Sequence, residues 1–133
     1  MSNKKTFEEV LQRFREIEFH ETFDIIVAIA NGGIIPAAII NQRLNINIEL
    51  LKINLRDPSQ KPKYQSPKLI SPIDFEFKDK NILLVEDRIK TGATVNFALE
   101  LLKDAKQIKT FAVNGNADYA LYDEDCFKFP WIV

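Results

Sequence analysis

Residues 82–94 read Ile82-Leu83-Leu84-Val85-Glu86-Asp87-Arg88-Ile89-Lys90-Thr91-Gly92-Ala93-Thr94, and the remainder of the chain is arranged around them. Four consecutive aliphatic residues between polar ones make a strand buried on both faces. They run directly into two carboxylates, so Glu86 and Asp87 are expected at the strand's carboxyl end. A Thr-Gly-x-Thr turn follows. Beyond it Val95, Ala98, Leu99 and Leu102 recur on one helical face, which predicts a helix over 94–105. A turn with a permissive glycine, two hydroxyls and the unpaired amides of a helix start suits a phosphate monoester. Two adjacent carboxylates suit vicinal hydroxyls or a hydrated divalent cation. A phosphorylated ribose carries all of these groups.

Moving upstream, Asp24 to Ala30 is almost wholly aliphatic and predicts another buried strand, broken at Asn31-Gly32-Gly33 and followed by a helix over Ile34 to Arg43 with Pro36 in its first turn. Paired glycines between a buried strand and a helix let backbone amides approach an anion closely; a plain tight turn is the other use of such a pair. Thr6-Phe7-Glu8-Glu9 reads as a capping box, and Phe7, Val10, Leu11, Phe14 and Ile17 place a helix over Phe7 to Phe19. Asn45 to Leu55 predicts a further strand. The next stretch, 56–68, has three prolines and no glycine, and sets Arg56, Lys61, Lys63 and Lys68 against the one acid Asp57, a composition that belongs on the surface. Lys109 to Asn114 predicts a further strand, and the tail Tyr119 to Val133 is acidic and aromatic.

The 133 residues bound the chain to one domain with one core. Lys plus Arg number 18 against 19 Asp plus Glu, a near-neutral balance that argues against general nucleic-acid binding. No run is long enough to span a membrane, and Met-Ser-Asn-Lys-Lys lacks the apolar centre of a signal peptide. The single Cys126 cannot form an internal disulfide, so a reducing cytoplasmic setting is expected, with Cys126 as a packing residue. His20 is the only histidine; without a cysteine cluster or a second histidine it reads as structural or surface-lying, and a zinc site is not supported.

The string LLVEDRIKTGAT resembles the signature of type I phosphoribosyltransferases, in which aliphatics lead into an acidic pair and then Thr-Gly-x-Thr. The resemblance implies that Glu86 and Asp87 hold the ribose hydroxyls of phosphoribosyl pyrophosphate, in indirect contact with Mg2+, and serve as the catalytic pair. It assigns Lys90, Thr91, Gly92, Ala93 and Thr94 to the 5′-phosphate. AIANGGIIPAA is similar to the family's pyrophosphate loop, which assigns Asn31, Gly32 and Gly33 to pyrophosphate. The ending Phe-Pro-Trp-Ile resembles the C-terminal hood of small purine phosphoribosyltransferases of the xanthine/guanine kind. There Trp131 would stack on the base, with Phe129 as alternate, Ile89 on the opposite side and Asn114 able to donate to a keto group.

The implied architecture is a single α/β domain over 1–133: a central, mostly parallel sheet flanked by helices, the type I phosphoribosyltransferase fold, with a mobile loop near 56–70 and a small hood near 115–133. The implied activity is a pentosyl transfer: a nucleobase, expected to be a purine, displaces pyrophosphate from phosphoribosyl pyrophosphate, as in purine salvage by a cytoplasmic homodimer. The string Ile-Leu-Leu-Val-Glu-Asp also opens phosphorylation receiver domains, but those need a later phosphoacceptor Asp, Thr and Lys, and only 46 residues follow Asp87.

Three positions depart from the family pattern. Lys90 stands where 6-oxopurine enzymes typically carry an Asp beside N7 of the base, and a lysine, ordinarily cationic, does not accept that proton. Asn31 stands where a basic residue is common. Arg88 replaces an aliphatic residue and is expected to face solvent or an opposing subunit. The lysine expected beside the exocyclic oxygen is absent, with Val113 or Asn114 near its place. A non-catalytic module that binds phosphoribosyl pyrophosphate or a nucleotide is the rival that these departures leave open.

Overall fold

Alternation along the buried strands sorts the apolar side chains into two layers, one on each side of a sheet. The computed structural model of the chain describes residues 4–54 and 67–133. In chain order the elements are α1 (Phe7–Glu16), β1 (Ile25–Ala30), α2 (Ile34–Leu44), β2 (Asn47–Asn54), β3 (Lys68–Leu69), β4 (Asn81–Ile89), α3 (Ala93–Leu101), β5 (Gln107–Gly115) and β6 (Tyr119–Tyr122). The strands lie in the order β3-β2-β1-β4-β5-β6. All neighbours run parallel except β2 and β3. Chain order therefore reverses between β1 and β4, the kind of switch point at which open α/β sheets bind ligands beyond the strands' carboxyl ends.

The first layer joins Ile26, Ala28, Leu83, Val85, Phe111 and Val113 of the sheet to Val10 and Phe14 of α1 and to Ala37 and Ile40 of α2. The second joins Val27, Ile29, Ile82, Leu84, Leu51 and Ile53 to Val95, Ala98 and Leu102 at α3. The aliphatic runs in β1 and β4 have the composition of strands covered on both sides, and helices cover them.

Several boundaries differ from expectation. α1 ends at Glu16 rather than Phe19, because Ile17 is already extended and the Arg43 guanidinium bonds the carbonyls of Phe14 (2.9 Å) and Ile17 (2.6 Å). Ile17 and Phe19 still pack on the first layer, so the apolar pattern outlasts the helix. α3 stops at Leu101, short of residue 105. β4 runs on to Ile89, which places the acids inside the strand rather than at its end. Two strands escaped prediction. β3 has two residues, and β6 follows β5 after only residues 116–118. That return is fastened by Asp118, whose carboxylate accepts from the Thr110 amide (2.8 Å) and hydroxyl (3.1 Å). Residues 55–66, most of the expected mobile loop, lie outside the described residues, while Lys68 and Leu69 pair with Asn54 and Ile53. Cys126, expected to pack, is exposed. Among the described residues no helix is long and apolar enough to cross a membrane.

Phe111 sits fully buried at the middle of β5 and stacks on Phe14 with ring centroids 5.7 Å apart. Phe111→Ala should cost about 3–5 kcal/mol of unfolding free energy in denaturant titrations, the range for removing a buried ring without collapse of the cavity. A loss below about 1 kcal/mol would mean that the first layer is not packed as described.

Candidate active site

β1 and β4 are paired only as far as Ala28 and Val85. Beyond that rung β1 continues against β2 through Ala30, and β4 continues against β5 through Ile89. The two central strands thus part at their carboxyl ends. Asn31-Gly32-Gly33 enters the gap from one side and Glu86-Asp87 from the other.

The glycines are what allow the approach. A Cβ on Gly33 would lie 2.3 Å from the Val85 carbonyl oxygen and 3.0 Å from the Ile29 backbone. A Cβ on Gly32 would lie 2.7 Å from the carboxyl atoms of Asp87. Gly33 bonds its amide to the Ile29 carbonyl (2.8 Å) and leads into α2. Asn31 itself is exposed, and the peptide joining it to Ala30 is cis.

The acid pair is bonded to its own backbone. Glu86 Oε1 accepts from the Asp87 amide (2.9 Å), and Asp87 Oδ1 accepts from the Arg88 amide (2.6 Å). Side-chain alternation shifts across these two residues. Leu83 and Val85 belong to the first layer, as do the rings that Arg88 meets, while Ile89 joins Ile82 and Leu84 in the second. A regular pleat would have put Arg88 with Leu84. Burial first, and then the neighbouring Asp87 charge, push the Glu86 carboxyl well above its ordinary range. An acid pair that resists full ionisation invites a cation or hydroxyl donors. Among the described residues no cluster of three or more His, Cys, Asp or Glu side chains could hold a metal ion, so a divalent cation here would need oxygens from a ligand as well.

The turn after β4 reaches the same end of the sheet. Lys90 and Thr91 are exposed. Gly92 caps α3 with φ +83°, a conformation that disfavours side chains, and the Thr91 hydroxyl accepts from the Ala93 amide (3.2 Å). Gly92 itself has no side chain to cap the helix, so apart from the Thr91 bond to Ala93 the first-turn amides around Thr94 have no side-chain cap.

The expected base-binding residues fare differently. Asn114 is buried, and both ends of its amide are engaged: Nδ2 donates to the carbonyls of Glu124 (3.1 Å) and Asp125 (3.4 Å), and Oδ1 accepts from the Glu124 amide (3.0 Å). It holds a loop rather than offering a hydrogen bond to a ligand. Phe129 is also buried, stacked on Trp131 at 5.3 Å and 15°. Trp131 keeps part of its surface and is met edge-on by Phe7. Ile89 packs on the second layer and Trp131 on the first, so they lie on opposite sides of the sheet. Arg88 corrects the expectation of a solvent or intersubunit role. Its guanidinium donates to the Phe127 carbonyl (2.7 Å) and lies 4.7 Å over the Phe129 ring. Nothing in the local pattern around Arg88 could have revealed this, because its partners lie about 40 residues away. A surface hollow of about 470 Å³ lined by Lys5, Glu9, Arg13 and Tyr122 lies between α1 and β6 and shares no residue with the acid pair.

Two outcomes test this geometry. Gly33→Ala meets backbone and should lower stability by about 2 kcal/mol or more, whereas Gly32→Ala meets a movable carboxylate and should cost less than about 1 kcal/mol; equal losses in thermal unfolding would contradict the two close approaches. Glu86 supplies the second test through the pH dependence of stability. Below the ordinary carboxylate range it is neutral in both folded and unfolded chains. As pH rises from that range through its raised folded value the unfolded chain loses its proton first, so stability falls. Glu86→Gln should therefore unfold at the wild-type temperature near about pH 4 and at a higher temperature near about pH 8. A wild type that gains on the variant as pH rises would mean that the fold favours the carboxylate.

The phosphoribosyl transferase domain profile matches residues 5–132. A xanthine-guanine phosphoribosyltransferase from Idiomarina loihiensis is 27% identical over 145 residues, covering 98% of this chain and 88% of the relative. Another from Chromohalobacter salexigens is 31% identical over 116 residues, covering 82% and 68%. The crystal structure of a purine phosphoribosyltransferase from Pyrococcus horikoshii superposes with a TM-score of 0.76 at 26% identity, covering 96% of this chain and 91% of that one. With the split between β1 and β4, the glycine loop and the acid pair all in place, the chain belongs to the phosphoribosyl transferase family.

Proposed function

We propose that the chain transfers the phosphoribosyl group of phosphoribosyl pyrophosphate to a ring nitrogen of a purine base and releases pyrophosphate. The observation that carries this reading is the convergence of three segments at one switch point: Asn31-Gly32-Gly33, Glu86-Asp87, and the turn Lys90 to Thr94. The relatives that match along the chain carry names of transferases, which supports turnover over a non-catalytic binding module.

Roles follow from chemistry at each segment. Glu86 and Asp87 would accept hydrogen bonds from the ribose hydroxyls, which would favour the carboxylate form that burial and the Asp87 charge disfavour at Glu86. The backbone of Gly92, Ala93 and Thr94, with the Lys90 and Thr91 side chains, would hold the 5′-phosphate, the Ala93 amide exchanging its bond to Thr91 for one to the ligand. Amides around Gly32 and Gly33 would receive the pyrophosphate, assisted by Asn31 as a neutral donor. Cleavage at the anomeric carbon would run ahead of bond formation. Positive charge developing on the ribose would then lie near Asp87 and Glu86, and negative charge on the leaving group near the glycine loop.

Magnesium fits the donor set. Two neighbouring carboxylates are hard oxygen donors, too few for an all-protein cage, and suit a cation carried mainly by substrate oxygens and water. When bound, it would neutralise charge on the departing pyrophosphate. Ile89 from one layer and the C-terminal segment with Trp131 from the other would bound the acceptor base. The family reading also carries a cytoplasmic setting and a homodimer, and the exposed Ile35 and Leu50 are apolar surface that a second copy could cover.

Calorimetric titration of phosphoribosyl pyrophosphate with magnesium, followed by purine and pyrimidine bases in the same cell, tests the proposal. Saturable binding and turnover heat with a purine are expected, and Asp87→Asn should weaken sugar-phosphate binding about tenfold or more. Unchanged affinity in that variant would remove the ribose assignment, and turnover with pyrimidines alone would overturn the acceptor class.

A further inference from the structure

Arg88 is bonded at once to the acid pair and to the C-terminal segment. Its amide donates to Asp87 Oδ1, its guanidinium donates to the Phe127 carbonyl, and the guanidinium plane covers Phe129, which in turn stacks on Trp131. The adjacent strand repeats the arrangement. Asn114 is the cross-strand partner of Arg88, and its amide holds the backbone of Glu124 and Asp125. Two paired positions on β4 and β5 therefore grip one stretch of backbone, residues 124–127.

The grip carries a cost that packing alone would avoid. Arg88 Nε is buried with no hydrogen-bond partner, and no carboxylate is paired with the guanidinium among the described residues. A partly buried, incompletely satisfied cation is unfavourable, and the Phe129 ring offsets only part of that. Phe127 and Phe129 are themselves buried, and Lys5 lies 5.0 Å over the Phe127 ring. The segment would stay attached through its own apolar burial. What Arg88 adds is a fixed position relative to Asp87.

We propose that Arg88 is a positioning residue for the acceptor end of the site: it sets where the segment 127–131 lies against the strand that carries the acids, and so governs affinity for the base without governing affinity for the sugar phosphate. The inference rests on the phosphoribosyl-transfer reading and on the C-terminal segment bounding the acceptor. The geometry is specific to arginine. A planar fork donates to a carbonyl in its own plane while its face lies on a ring, whereas a lysine ammonium is a point charge with no plane to orient.

Trp131 is the only tryptophan in the chain, so its fluorescence reports directly on this segment. The experiment compares wild type with Arg88→Leu and Arg88→Lys, measuring Trp131 emission and acrylamide quenching, phosphoribosyl pyrophosphate affinity by calorimetry, and kinetics with varied purine. Both variants should show shifted emission and stronger quenching, an acceptor KM raised about tenfold, and phosphoribosyl pyrophosphate affinity within about twofold of wild type. Equal loss of both affinities would overturn the proposal, as would an unmoved acceptor KM with altered Trp131 emission. If Arg88→Leu fails to fold, the same criteria apply to Arg88→Lys, which retains the charge and the stem. Failure of the wild type to bind phosphoribosyl pyrophosphate would instead count against the function itself, and is read separately in the first titration.

Discussion

The site depends on the separation of β1 from β4 beyond Ala28 and Val85, and on the absence of side chains where the two loops then meet. Parallel strands that remain paired offer no room between their ends. Here each strand keeps its outer neighbour and drops its inner one, so backbone hydrogen bonding continues on both sides of a cleft. Gly33 lies against the last rung, with space for no Cβ beside the Val85 carbonyl, and Gly32 lies against Asp87. The pyrophosphate and ribose assignments both rest on this one contact.

Close approach also explains why the local chemistry is unfavourable when nothing is bound. Glu86 is desolvated beside a second carboxylate, which raises its pKa, and Arg88 is half-buried with its Nε enclosed and unpaired. Opposite charges only two residues apart do not neutralise each other, because the shift in side-chain alternation sends Arg88 into the first layer toward Phe127 and Phe129. Both groups are poor choices for stability, and both lie within three residues of each other in an otherwise apolar strand. Local inconsistency of this kind is expected where a chain has been shaped for binding rather than for the fold alone.

Much of the fold could be read from local pattern because the elements that build it are local. The aliphatic runs of β1 and β4 determine a sheet covered on both faces, and Thr6 caps α1 with its hydroxyl on the Glu9 amide as the capping box predicts. The segments proposed for the sugar phosphate were legible for the same reason: acids, turn and helix start are contiguous, and the glycine pair follows directly on a strand. The acceptor end was not. Asn114 has the right chemistry to meet a keto group, yet the Glu124 and Asp125 backbone takes both ends of its amide. Arg88 looked like a surface substitution and is an anchor. β6 was missed because the turn before it is only three residues, too short for the usual parallel crossover, and is held by the Asp118–Thr110 bonds instead.

The contrast has a physical basis that bears on how such a chain can change its acceptor. Phosphate and pyrophosphate are recognised mainly by backbone amides at glycine turns and helix starts, so their binding is tied to main-chain geometry and tolerates replacement of a basic residue by Asn31. A base is recognised by side chains and by the placement of a tail that reaches the site from outside the central strands. Arg88 and Asn114 use side-chain donors to fix that tail, and neither occupies the cleft between β1 and β4. Exchanging them would move the acceptor end while leaving the split strands and the glycine contact intact. On the proposed reading, specificity for the base would be carried by a layer of the structure that can vary without disturbing the chemistry at the anomeric carbon.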